Sequence, residues 1–182
     1  MKRLLIIIAS LWILISPGFN QTFITREGMA SFYSSAPLED IEAVNHRVQV
    51  VLDGATGEIN IRMRIEDFQF ERALMQRHFN EKFMESHLYP EARFSGDIED
   101  FDKFVNEGVY EGVTATGSLT IHGVTREVEI TGTLERDGDG YKVNAFFPVS
   151  VADYDIRIPR IFIRNIAEVV EVTADFRLVP LN

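Results

Sequence analysis

From residue 22 to residue 181 the chain alternates apolar and polar side chains with few interruptions, and this alternation restricts the fold more than any other feature. Ile59, Ile61, Met63 and Ile65 are separated by Asn60, Arg62, Arg64 and Glu66. Near the other end, Val170, Val172, Ala174, Phe176 and Leu178 fall on one face. Side chains two apart lie on the same side of a strand, so each such run reads as a strand with one apolar face. The predicted strands cover residues 23–33 (as one or two pieces), 42–52, 58–66, 92–96, 98–104, 110–122, 126–136, 141–149 and 169–179. Val44, Val48, Val50 and Leu52 are expected to share a face, and Pro148 to end or fray its strand. Turn residues separate the runs at 53–57, 106–108 and 137–140. Such short links favour antiparallel neighbours. A sheet with one apolar face must curl on itself or pack against a second sheet. The class is therefore all-β, in one domain.

One segment breaks the period. Residues 71–88 are rich in helix formers and lack β-branched residues. Met75, Phe79 and Phe83 recur at helical spacing on one face, and Leu74, Met84 and Leu88 on another. The pattern predicts either a helix buried on two sides or two short helices bent near residues 79–82. Tyr89-Pro90 ends it, because the residue before proline is pushed out of the helical region. Its apolar faces suit a lid or plug at a barrel mouth. Residues 154–163, which include Pro159, are less regular.

The N-terminus is a separate matter. Lys2 and Arg3 precede a 12-residue apolar run at 4–15, and Ser16-Pro17-Gly18 supply small residues for cleavage. The run suits a signal peptide and is short for a membrane span. Residues 1–18 are predicted as the signal peptide, with cleavage as late as 20 as the next choice, and residues 22–181 as the domain. The product is expected in the periplasm or secreted, without stable membrane insertion once the signal is removed. The chain has no cysteine, so no disulfide, thiolate nucleophile or cysteine-held metal is available. Beyond residue 18 there are 16 basic and 28 acidic residues, a formal charge of −12. That disfavours nucleic acid or an anionic bilayer as partner. A lipid inside an apolar cavity is a different case, since an interior need not share the sign of the surface.

The stretch GSLTIHGVTREVEI, residues 117–130, reads as a hairpin. With Gly123 first in a two-residue II′ turn, Leu119 faces Val128 and Gly117 faces Ile130. Gly117 there marks a bend or room for something to approach the wall. The stretch resembles the Leu-Thr-Ile-x-Gly-Val-Thr-x-x-Val signature of the YceI-like family. YPEARFSG, residues 89–96, is similar to that family's Tyr-Pro-x-Ala-x-Phe-x-Ser motif, and His78-Phe79 to its His-Leu. The resemblance spans residues 22–181. It implies a single extended antiparallel eight-stranded β-barrel, lipocalin-like, with a short helical segment near the opening. It also implies an exported protein that binds a polyisoprenoid, quinone-like or other long amphiphilic lipid in the lumen, with no metal, cofactor or catalysis.

Lumen candidates are Ile61, Met63, Phe79, Phe83, Met84, Phe94, Gly117, Leu119, Val128, Ile130, Val143, Phe147, Val172 and Phe176. A barrel of eight strands can pack solid or hold one small ligand, so a structural barrel with a filled core stays open. A cell-envelope hydrolase with two carboxylates distant in sequence also stays open, although no nucleophile-elbow, zinc-helix or phosphate-loop motif occurs. His46, His78, His87 and His122 are scattered, without metal-ligand spacing. The acidic runs at 97–102 and 137–140 lack the calcium-loop pattern and read as solvated edges and a turn. Edge strands leave a homodimer open without supporting it.

Overall fold

A computed structural model describes residues 21–162 and 164–181. The predicted signal peptide lies outside these residues. The strands are β1 (Thr22–Ser35), β2 (Asp40–Asp53), β3 (Glu58–Arg64), β4 (Gln69–Phe70), β5 (Glu91–Ile98), β6 (Gly108–Ile121), β7 (Val124–Asp137), β8 (Gly140–Ser150) and β9 (Val169–Pro180). They pair antiparallel in the order β1-β9-β8-β7-β6-β5-β3-β2, and β1 then pairs with β2 from Thr22 opposite Asp53 to Ser35 opposite Asp40. Eight strands thus close into a barrel. The two-residue β4 adds only a short rung on β2.

Several strands differ from their sequence reading. The first is one continuous strand, and its register with β2 shifts between Thr25 and Ala30. On β2, Ala43 and Asn45 are buried before the irregularity, and Val48, Val50 and Leu52 after it. Val44 therefore leaves the predicted row. Between the pairs Ala30–Asn45 and Gly28–Val48, β2 carries one residue more than β1, which is a β-bulge. The buried Asn45 side chain secures it by accepting the Arg47 N–H at 2.8 Å and donating to the Arg64 carbonyl at 2.9 Å. The predicted strand at 98–104 is instead the end of β5 and a 3-10 turn, Phe101–Phe104. Pro148 lies within β8, not at its end. There β8 pairs with β9 but has parted from β7, whose pairing stops at Gly132–Ala145, so Pro148 sits at an edge that tolerates it.

The hairpin turn is one residue earlier than its glycine suggests. His122 and Gly123 both have positive φ, 51° and 77°, the signature of a I′ turn with these two at its centre. Ile121 then faces Val124, Gly117 faces Val128 and Leu119 faces Arg126. Relative to the II′ reading, partners move by two residues. An even shift keeps every side chain on its predicted face. Gly117 does not open space for a ligand. It lies opposite Gly96 of β5, and a Cβ on it would stand 2.3 Å from the Ser95 carbonyl oxygen and 2.5 Å from the Gly96 Cα. The glycine pair lets two strands press together.

The helical region is α1 (Ala73–His78) followed by a π turn, Phe79–Phe83, in which the Met84 N–H reaches back to the Phe79 carbonyl at 2.8 Å. The wider turn delivers Phe83 and Met84 to the same side as Met75 and Phe79, while Leu74 and Leu88 remain exposed. One face is therefore buried, not two, and the bend falls where the sequence placed it.

The far end of the barrel is sealed. Phe23 packs edge-on against Tyr141 at 4.9 Å, Phe101 lies 5.6 Å from Tyr141, and the Arg136 guanidinium covers the Tyr141 ring at 4.6 Å. Above this plug, Val48, Val50, Leu52, Ile59, Leu134, Phe176 and Leu178 fill the base. Each such side chain stabilises the fold by about 1.5–3 kcal/mol through burial, which lets the chain hold together without disulfides. Replacing Gly117 by Val should lower the unfolding free energy by about 1–3 kcal/mol, because the strands cannot separate freely. Urea denaturation followed by circular dichroism checks this; unchanged stability would contradict the close approach of β5 and β6.

Candidate functional site

Above the filled base the barrel interior is not filled. A cavity of about 340 Å³ lies at the mouth, and a narrower one of about 110 Å³ lies deeper. Ala30, Met63, Ala92, Leu119, Phe147 and Val172 border both and form a girdle between them. These six come from β1, β3, β5, β6, β8 and β9, each projected inward by strand alternation. Ile59, Ile98, Leu134 and Phe176 help close the deeper space against the base.

Of the fourteen predicted lumen residues, Phe79, Phe83 and Met84 line the upper cavity, and Met63, Leu119, Phe147 and Val172 form part of the girdle. Ile61, Phe94, Ile130, Val143 and Phe176 line the deeper cavity. Gly117 and Val128 line neither. Gly117 is consumed by the contact with Gly96, and Val128 packs against the core.

The upper wall also contains residues that the sequence reading passed over. Phe32, Phe68, Phe70 and Phe79 form an aromatic cluster with centroid distances of 5.0–5.9 Å, in which Phe79 stacks on Phe32. Each contact of this kind adds about 0.5–1.5 kcal/mol beyond burial and fixes the π turn over the opening. Phe32 was legible, two residues from the inward Ala30, and Ile65 continues the row of Ile61 and Met63. Ile156, Ile158, Phe162 and Ile166 also line the cavity, from the segment between β8 and β9. No period marks them, because that segment is short 3-10 turns and coil.

Two contacts close the roof. Phe162 packs edge-on against Phe83 at 5.6 Å and beside His78 at 5.7 Å. On the other side, the buried His122 of the hairpin turn reaches the Tyr154 carbonyl with Nδ1 at 3.2 Å and the Glu85 carboxylate with Nε2 at 3.2 Å. The Tyr89 ring packs at a tilt against His122, with centroids 4.3 Å apart, and also occupies the space a Cβ on Gly123 would need. These contacts place His122 at the centre of the turn. The Tyr154 hydroxyl is pushed up from its ordinary pKa, first by burial and then by Asp153, against an opposing effect of Arg126.

Polar groups are few and gather at the rim. Glu39 is held by Arg72 at 2.5 Å and by the Asn165 side-chain amide at 3.5 Å. Ser34 accepts the Ala167 N–H at 2.9 Å, and His78 borders the same space. Among the described residues no cluster of three or more His, Asp or Glu could hold a metal ion, and no helix is long and apolar enough to cross a membrane.

The model of the YceI-like domain matches residues 26–178. Among solved structures, a polyisoprenoid binding domain from Saccharophagus degradans, implicated in plant cell wall breakdown, superposes with a TM-score of 0.74 at 13% identity, covering 90% of this chain and 99% of that one. BcnA from Burkholderia cenocepacia gives 0.68 at 17% identity, covering 84% and 96%. The YceI protein of Campylobacter jejuni gives 0.56 at 14% identity, covering 73% and 79%. At these identities the likeness is one of fold. No curated protein matches the chain by sequence.

Replacing His122 by Ala removes the bridge from hairpin to roof. Amide exchange at residues 79–86 and 151–156 should then accelerate severalfold while the barrel strands keep their protection. Exchange measured by mass spectrometry reads both; uniform exchange throughout the chain would contradict a local fastening role.

Proposed function

This chain belongs to the YceI-like family, and on that premise we propose that it is an exported binding protein for a polyisoprenoid, quinone-like or other long amphiphilic lipid. The observation that carries this is the upper cavity of about 340 Å³, walled by hydrocarbon and bordering a deeper pocket in the same barrel. Its size falls within the roughly 300–1,000 Å³ typical of small-molecule sites. The apolar chain of the lipid points inward past the Met63–Phe147 girdle. Its polar end stays at the rim beside Ser34, Glu39, His78 and Asn165. Binding then draws on apolar burial, at about 25 cal/mol per Å² before the entropic costs of association. The likeness to the polyisoprenoid binding domain of Saccharophagus degradans supports the lipid class, and the apolar N-terminal run supports export to the periplasm or beyond.

The cavity weighs against a core packed solid. The chemistry of the lining weighs against hydrolysis, since Glu39 is engaged by Arg72 and Asn165 and the other walls carry almost no polar atoms.

Organic extraction of the purified protein, followed by mass spectrometry, should release a long-chain isoprenoid or related amphiphile in stoichiometric amount. Val143→Phe fills part of the deeper cavity and leaves the upper one as it is. It should weaken binding of a long-chain isoprenoid at least tenfold while a short analogue that stays in the upper cavity binds as before. Equal loss for both lengths, in a variant with the parent's circular dichroism, would contradict the inward path of the chain.

A further inference from the structure

We propose that the mouth of this barrel is a docking face for an anionic lipid bilayer. The surface is defined by a segment that contrasts with the rest of the chain. Residues 156–166, IRIPRIFIRNI, hold three arginines and no acidic residue in a protein whose formal charge is −10. The structure divides this segment by direction. Ile156, Ile158, Phe162 and Ile166 turn into the cavity, and Arg157, Arg160 and Arg164 are exposed.

The neighbouring roof adds Arg77 and Lys82, both exposed, with Lys82 5.8 Å from the Phe162 ring. None of these five cations forms an ion pair among the described residues. On the barrel wall, Arg47, Arg62, Arg64, Arg93 and Arg177 each lie against a carboxylate. Around the mouth cations stand three apolar side chains that nothing covers: Leu38, Leu74 and Leu88 are 58–59% exposed. The Leu38 N–H donates to the Arg164 carbonyl at 3.0 Å, which joins the loop between β1 and β2 to the basic segment.

Unpaired cations beside exposed leucines match the chemistry of a bilayer interface, where guanidinium groups meet lipid phosphates and leucines enter the acyl boundary. Two of the roof's acids are already engaged, Glu39 by Arg72 and Glu85 by His122, while Glu71 and Glu81 on the helical region and Asp153, Asp155 and Glu168 at the ends of the irregular segment remain exposed. The resulting attachment is weak and reversible. The acidic body does not prevent it. Strands of 14 residues are about 45 Å long, and charge repulsion decays over about 8–10 Å in physiological salt, so the carboxylates at the far end of the barrel, such as Asp97, Asp100, Asp102, Asp137 and Asp139, lie beyond reach of a bilayer at the mouth. A cargo drawn from a bilayer would enter by this opening. That purpose rests on the lipid-binding reading; the surface itself does not.

Sedimentation with phosphatidylcholine vesicles, with and without phosphatidylglycerol as a minority component, tests the proposal. The chain used is residues 19–182, the product of the predicted cleavage, because every described strand begins at or after Thr22. It should bind the phosphatidylglycerol vesicles, release them on raising salt, and bind phosphatidylcholine alone far more weakly. The triple variant Arg157→Gln, Arg160→Gln, Arg164→Gln should lose on the order of a hundredfold in affinity, at roughly fivefold per basic residue. The double variant Arg47→Gln, Arg93→Gln on the wall should bind like the parent. Absence of binding, equal binding to both vesicle types, or an unaffected triple variant with the parent's circular dichroism overturns the proposal. Lipid extraction from the same preparations separates the two readings. An empty cavity with vesicle binding intact defeats only the cargo, and a loaded cavity without vesicle binding defeats only the docking face.

Discussion

The pairing of β1 with β2 is the contact on which the rest depends. It joins the two ends of the sheet, so that one apolar face turns inward and neither terminal strand of the sheet is left as an open edge. Without it the same strands would form an open sheet with a broad hydrocarbon face in water. The Asn45 bulge and the Gly96–Gly117 contact serve this closure. One bends β2 where it must turn, and the other lets β5 and β6 approach closely.

Closure alone does not make a binding site. The base is filled by Phe23, Phe101 and Tyr141 and by the aliphatic layer above them, while the mouth is roofed by a π turn and an irregular segment. A roof of short turns cannot project side chains as densely as paired strands do, and the upper cavity is the space left beneath it. Stability is thereby concentrated at one end and ligand access at the other. The fastening at His122 connects them, since the tip of the β6–β7 hairpin holds both roof pieces.

Much of this was legible in the sequence. Strand alternation identified the inward rows of β3, β6 and β9, and twelve of the fourteen lumen candidates line one of the two cavities. Parity protected the site from the error in the turn, because a shift by two residues leaves Leu119 and Ile130 on the inner face. The features that were missed depend on tertiary contacts. A glycine first in the turn was the stronger local signal, and His122 overrode it through partners 32 and 37 residues away. The two sequence motifs meet there in space: Tyr89 of the first packs on His122 and Gly123 of the second. The Val44 face was lost to a bulge that only the Arg64 carbonyl and the Arg47 amide explain. The inward isoleucines of residues 156–166 have no period at all, since coil imposes none.

The methionines offer the most direct measurement of the central claim, that an amphiphilic chain occupies the barrel from the rim through the girdle. Met75 and Met84 line the upper cavity and Met63 stands at the girdle, whereas Met29 lies beside the inward Ala30 and lines neither cavity. Carbon-13 methyl spectra of these residues, recorded while the lipid-free protein is titrated with a long-chain isoprenoid lipid, should show saturable shifts at Met63, Met75 and Met84 and none at Met29. Shifts confined to Met29, or no shift at the three inward methionines at saturating lipid, would contradict it.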